Sequence, residues 1–314
     1  MTGSLADRFK SGSQKAGNVT EAWGAENFYC PNCSSPKLDW LKPGTKASDY
    51  HCSHCGFWYQ LKSKKSPIGK SITDGAYGAM MEAIQEDRAP NYFFLHYDLA
   101  TWSVRNLLLV PSFAFPLSAI VKRPPLAATA RRAGWVGCNF DLSRVPADAR
   151  IDLVRTIASS SPPSPTGERI RGEVGQLKSP HSGSLPAQSR GERVVIVSPS
   201  EVRAQFHKVK PLKELSVKER GWTLDVLNIV RRIVECGGTT PLSPDATCRV
   251  EPKRGHVRAL QNEFTNEDVY DHACELEKLH PDNRHVRDKI RQQLQVLRDA
   301  KLLIHVSAGV WRLP

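Results

Sequence analysis

No run of about eighteen apolar residues occurs along this 314-residue chain, so the sequence offers no segment that would span a bilayer as a helix. The opening stretch MTGSLADRFKSGSQK also lacks the basic-then-apolar layout of a secretory leader, and the expectation is a cytoplasmic protein with no membrane partner. Acidic charge is in short supply. Asp plus Glu number 32 against 44 Lys plus Arg, a formal net charge of +12. That balance favours a polyanionic partner through long-range attraction and counterion release. The eight cysteines do not fit the disulfide framework of a small secreted domain in a chain of this length. Four of them form two Cys-x-x-Cys pairs, Cys30/Cys33 and Cys52/Cys55, for which metal binding is the better account. Cys138, Cys236, Cys248 and Cys274 are scattered and read as ordinary reduced or buried cysteines.

The length leaves room for two domains with hydrophobic cores. Residues 4–24 alternate polar and apolar at helical spacing, with Ser13 as the expected N-cap of a helix reaching Trp23. The cysteine pairs follow, the second inside a hairpin spanning residues 49–62. Residues 74–86 read as a helix, and residues 92–97 and 106–110 are apolar runs of strand length. This order suggests an α/β core. Residues 150–154 and 193–197 are expected to pair as a late hairpin. Between them, residues 159–192 are rich in Ser, Pro and Gly without periodicity and read as a disordered insertion, tolerable because loop closure cost grows slowly with length. Residues 237–261 read as a second insertion.

The tail has another character. Residues 223–236 are amphipathic, Thr265 is placed to cap a helix reaching about His280, and Asn283 to cap one reaching about Ala300. In the last of these, Val286, Ile290, Leu294 and Leu297 fall on one stripe, which leaves Arg284, Asp288, Arg291, Gln292, Gln295 and Arg298 outward. Residues 302–306, a turn at 307–309 and residues 310–313 then complete a terminal hairpin. Three helices and a hairpin predict an α+β winged-helix domain over residues 213–314, after a first domain of residues 1–212.

Two Cys-x-x-Cys corners separated by eighteen residues predict a closed, four-thiolate structural zinc site. His51 and His54 each neighbour a better-placed cysteine and are left outside the ligand set. A closed site has no open coordination position, so zinc here is expected to stabilise the fold without activating water. Phosphodiester cleavage requires a hard divalent cation held by oxygen ligands. Asp49 supplies one, and Gln60 and Lys62 share a strand face by period two while the Leu61 side chain packs behind. Lys62 is then placed to orient or deprotonate water and offset phosphate charge.

The segments SQKAGNVTEAW, YCPNC, CSHC, LKSKK, DGAYGAMM, TARRAGWVGCN and KIRQQLQVLRD closely resemble, in order, the DpnI family of methyl-directed type II restriction endonucleases. The resemblance implies an α/β PD-(D/E)XK nuclease domain with an embedded zinc site, followed by a winged helix. It implies Mg²⁺-dependent cleavage of double-stranded DNA at G-A-T-C carrying N6-methyladenine, by a monomer. It further implies that Asp49, Gln60, Lys62 and the backbone carbonyl of Leu61 occupy the catalytic and Mg²⁺-binding positions, and that Cys30, Cys33, Cys52 and Cys55 hold Zn²⁺. Gln60 departs from the family, which has glutamate there: an amide offers a carbonyl oxygen but no charge. Glu82, on the following helix, and Glu21, on the preceding one, are the acids considered as compensation. Arg131, Arg132 and Trp135 form a loop expected to enter DNA, the ring packing on a methylated base. Arg284, Arg287, Arg291 and Gln292 are expected in the groove, and Trp222 either touches DNA or staples the first helix of the tail. The rival readings are a methylated-DNA binding protein weakened at Gln60 and a zinc-ribbon transcription factor.

Overall fold

The computed structural model describes residues 1–4, 10–41, 48–158, 192–235 and 262–314. Both expected insertions fall almost wholly outside them. In chain order the elements are α1 (Gly12–Asn27), β1 (Asp39–Trp40), β2 (Tyr50–His51), β3 (Trp58–Lys64), β4 (Ser71–Ala76), α2 (Tyr77–Gln85), β5 (Asn91–Tyr97), β6 (Val104–Val110), β7 (Ile120–Lys122), β8 (Gly137–Asp141), β9 (Ile151–Ala158), β10 (Glu192–Ile196), α3 (Pro199–Val209), α4 (Val217–Glu235), β11 (Glu263–Thr265), α5 (Asn266–Tyr270), α6 (Ala273–Leu279), α7 (Val286–Asp299), β12 (Ile304–Ser307) and β13 (Val310–Arg312). None of the described helices is long and apolar enough to cross a membrane. Two compact units are assembled from interleaved stretches: Met1–Ile68, Pro90–Leu109 and Ile151–Arg203 in the first, and Gly69–Ala89, Val110–Arg150 and Ala204–Pro314 in the second.

The first unit is built on a seven-stranded mixed sheet in the order β1-β2-β3-β5-β6-β9-β10. Strand β5, read as an apolar run, is buried along nearly its whole length, as a central strand covered on both faces must be. It runs parallel to β3, with Leu61 opposite Phe93. Phe28, just after α1, stacks on Phe93 at 4.2 Å and meets Tyr50 edge-on at 5.1 Å, tying α1 to the sheet. The late hairpin is present: β9 and β10 pair antiparallel, Val154 opposite Ile196. The cap of α1 is Ser11 rather than Ser13, whose hydroxyl bonds that of Ser11 at 2.8 Å.

In the second unit a three-stranded sheet, β4-β8-β7, takes up residues read from sequence as the start of a helix. Asp74, Gly75 and Ala76 belong to β4, and the helix begins only at Tyr77. Antiparallel pairing with β8, distant in sequence, overrides the local pattern there. Toward the C-terminus, α4 to α7 are accompanied by a second sheet in the order β11-β13-β12, whose first strand lies between α4 and α5 in the chain. Thr265 caps as expected, forming a reciprocal capping box with Asp268, but the helix behind it is broken between α5 and α6, where His272 leaves helical dihedrals. Helix α7 begins at Val286, and the Asn283 side chain accepts from the His285 amide instead of capping it. Its apolar stripe is buried as read, while Arg284, Asp288, Arg291, Gln292, Gln295 and Arg298 are exposed.

Of the scattered cysteines, Cys138 is buried as a thiol that donates to the Gly75 carbonyl at 3.6 Å, whereas Cys274 is disulfide-bonded. That corrects its reading as a reduced residue: pairing depends on which thiols the fold brings within reach. Cys236 and Cys248 lie outside the described residues.

One polar pair sits inside the helical core. The Thr223 hydroxyl donates to Gln293 Oε1 at 2.6 Å, with both residues buried. Thr223→Val strands the amide away from water and is expected to destabilise by about 1–3 kcal/mol. Adding Gln293→Leu recovers most of the loss, both read as shifts in urea midpoint at constant slope.

Candidate functional site

Two tight turns form the cysteine corners. The Cys30 amide donates to the Ser35 carbonyl at 3.1 Å, and the Gly56 amide to that of Cys52 at 2.8 Å. Gly56 closes the second turn at φ +74, a left-handed conformation that glycine adopts without steric cost. The sulfurs of Cys30 and Cys55 lie 3.5 Å apart and those of Cys33 and Cys52 3.6 Å, and all four ligand atoms lie within 4.8 Å of one another. These spacings are far beyond a disulfide bond and close to the edge of a zinc tetrahedron, about 3.8 Å for sulfurs 2.3 Å from the ion. Burial pushes the thiols of Cys30 and Cys52 upward, and a bound dication reverses that by stabilising the thiolates. The cluster can hold a metal such as zinc. His51 rests against the Trp58 ring at 4.3 Å and His54 is exposed, so neither joins the cluster.

The cluster is fastened to the strand beside it. Cys30 Sγ lies 3.4 Å from Tyr59 Oη, and Tyr59 immediately precedes Gln60. From α3, Arg203 donates to the carbonyls of Cys30 and Ser35 at 3.1 and 3.3 Å and lies over the Tyr29 ring.

Strand β2 is only two residues long, and its ladder with β3 ends as the Asp49 amide donates to the Tyr59 carbonyl at 2.9 Å. One step further along β3, no strand among the described residues pairs with the Leu61 amide on this edge. The Asp49 carboxylate takes that place, Oδ2 accepting from the Leu61 amide at 2.8 Å. Both backbone groups of a residue in an extended strand face one edge, so the Leu61 carbonyl faces the edge on which Asp49 lies. Period two turns Gln60 and Lys62 to the partly exposed face of β3 and buries Tyr59 and Leu61 on the other. Burial raises the Asp49 carboxyl, while the Leu61 amide and the Lys62 charge draw it down. The structure thus brings Asp49, Leu61 and Lys62 together at the end of one ladder, with Gln60 beside them on the strand.

The two acids considered as compensation differ in setting. Glu82 is 63% exposed and pairs with Arg88 at 3.3 Å in the second unit, the ordinary state of a solvated helix face. Glu21 is half-buried on α1, and its carboxyl is pushed up to about 7 by burial and by the charge of Asp49. Its backbone carbonyl accepts from Tyr50 Oη at 2.7 Å.

The residues expected at DNA belong to the second unit. Arg131 and Arg132 are exposed on a turn, and Trp135 follows Gly134, which has φ +76. The Arg123 guanidinium lies 5.6 Å from the Trp135 ring centroid, a partner that no sequence motif marked. Arg284, Arg287, Arg291 and Gln292 are exposed, with Arg287 over the Tyr270 ring at 5.3 Å and Arg291 paired to Asp288 at 2.8 Å. Trp222 is buried, its ring stacked on His280 at 4.0 Å, a setting that assigns it to packing among helices of this unit.

Purified protein is expected to carry zinc in stoichiometric amount by elemental analysis. Cys55→Ser should strip most of it and lower the melting temperature, since metal binding and folding are coupled.

Residues 1–163 match the model of the DpnI Dam-replacing family. Residues 256–313 match the model of the Dam-replacing HTH domain. With the first match alone spanning more than half of the sequence, the chain belongs to the Dam-replacing family.

Proposed function

We propose that this protein is a methyl-directed type II restriction endonuclease, hydrolysing double-stranded DNA at G-A-T-C when the adenine carries an N6-methyl group, with Mg²⁺ as its catalytic cation. The observation that carries this reading is the Asp49 carboxylate closing on the Leu61 amide within reach of the Lys62 charge, on a hairpin braced by four cysteines. In this reading residues 1–212 form a PD-(D/E)XK nuclease domain with structural Zn²⁺, and residues 213–314 a winged-helix domain. The protein acts as a monomer in the cytoplasm, where its DNA substrate is met.

Asp49, the Gln60 amide oxygen and the Leu61 carbonyl are a set of hard oxygen donors suited to Mg²⁺. When bound, the cation supplies charge neutralisation at the phosphate and a more acidic water. Lys62 orients the attacking water and offsets charge developing on the phosphate. The net charge of +12 draws the duplex in. Arg131 and Arg132 contact the backbone or guanine edges, Trp135 packs on the methylated base, and Arg284, just before α7, joins Arg287, Arg291 and Gln292 on that helix in facing the groove. Burial of Trp222 favours a stapling role.

Gln60 itself favours a second reading, a methylated-DNA binding protein whose cleavage has weakened, because an amide adds no negative charge at the cation.

Methylated and unmethylated plasmid, each incubated with protein and Mg²⁺, separate the two. Cutting confined to methylated plasmid is the expected result, whereas retention on a gel without cutting favours the second reading and cutting of both plasmids opposes methyl direction. Lys62→Ala is expected to lower the cleavage rate by about 10²-fold or more with DNA retention unchanged, and an unaltered rate removes Lys62 from the mechanism. Gln60→Glu should keep or raise cleavage; a clear loss on folded protein counts against the assignment of this site.

A further inference from the structure

Glu21 is carried into the catalytic hairpin by two ties that hold α1 against the sheet. The Thr20 hydroxyl donates to Ser63 Oγ at 3.1 Å, next to Lys62. One residue on, the Glu21 carbonyl accepts from the Tyr50 hydroxyl at 2.7 Å, next to Asp49. Gly24, one turn later, permits this approach, since a Cβ there would collide with the Tyr50 hydroxyl and lie 2.7 Å from the Phe28 ring. Residues 20 and 21 are therefore fixed beside both strands that bear the site.

The carboxylate placed there has no hydrogen-bond or ion-pair partner among the described residues. It is half-buried, and the charge it meets is that of Asp49. Two partly desolvated carboxylates that feel each other's charge destabilise one another, and a cation bound by both reverses the sign of the interaction. The site otherwise has one formal negative charge at Asp49 and a neutral amide at Gln60. Hard dications bind more tightly as anionic ligands are added.

We infer that the Glu21 carboxylate is an anionic ligand to the divalent cation of this site and restores the charge that Gln60 lacks. The inference rests on the reading of Asp49, Gln60 and Lys62 as a metal-dependent nuclease site. Glu21 acts from the helix side, Asp49 from the hairpin side, and the Gln60 oxygen completes the donor set without charge.

The test uses the full zinc-loaded chain with Mn²⁺ as probe, without DNA, binding being followed by titration calorimetry and by the electron paramagnetic resonance of free Mn²⁺. Loss of a ligand costs at least what loss of an outer partner of a ligand costs, so Glu21→Gln is expected to weaken binding by about tenfold or more. Asp49→Asn is expected to weaken it likewise, and Glu21→Gln with Gln60→Glu to return it toward the native value. If Glu21→Gln keeps its zinc and melting temperature yet binds Mn²⁺ like the native protein while Asp49→Asn does not, Glu21 is no ligand and the nuclease reading stands without it. If the native protein binds no Mn²⁺, or Asp49→Asn leaves binding unchanged, the metal site and this inference both fall. Should Glu21→Gln lose zinc, Glu21→Asp keeps the charge and shortens the reach: weakened Mn²⁺ binding supports the assignment, and unchanged binding overturns it.

Discussion

The arrangement at the hairpin depends on one hydrogen bond, from the Leu61 amide to the Asp49 carboxylate. It exists because β2 is two residues long, and the amide beyond its end requires an acceptor once a ladder partner is missing. A longer β2 would satisfy Leu61 with backbone and turn the acid elsewhere. Shortness of one strand therefore converts an aspartate into the cap of a neighbouring strand, and in doing so aims it along the edge that the Leu61 carbonyl also faces.

That cap is held in a partly desolvated setting by elements from three directions. The cysteine cluster reaches β3 through the contact of Cys30 with Tyr59, and α1 reaches both strands through Thr20 and Glu21. The aromatic contacts of Phe28 with Phe93 and Tyr50 add packing beneath. Burial lifts the Asp49 and Glu21 carboxyls while Lys62 opposes the effect at Asp49, so the acids are supported by protein structure and opposed by their own charges. Groups in such tension are common at sites that take up a cation.

The described residues of the second unit are held by buried polar anchors. Asp225, nearly inaccessible, accepts from Ser118 at 2.8 Å and meets His280 Nε2 at 2.9 Å, and His280 in turn stacks on Trp222. Arg220, also buried, pairs with Asp87 at 2.7 Å and donates to the carbonyls of Leu212, Lys213 and Leu215. Each charge is matched by several partners, as buried ions require. The same unit leaves the arginines at the start of α7 exposed, which keeps cationic surface apart from cationic core.

Sequence by itself determined the features whose signal is local. The spacing of Cys30, Cys33, Cys52 and Cys55 marked the four-thiol cluster, period two along β3 put Gln60 and Lys62 on one face, and the stripe of Val286, Ile290, Leu294 and Leu297 identified the buried side of α7, because these patterns are fixed by turn, strand and helix geometry within a few residues. Tertiary structure alone decided what depends on distant partners. It placed Asp74 to Ala76 in a strand through pairing with β8, supplied β11, too short to show a pattern, through pairing with β13, and set Trp222 inside the helices. It also separated Glu21 from Glu82, two helical glutamates alike in sequence, by setting one beside Asp49 and the other against Arg88. Electrostatic fields and burial are sums over neighbours that only the folded chain assembles, and no spacing along the sequence encodes them.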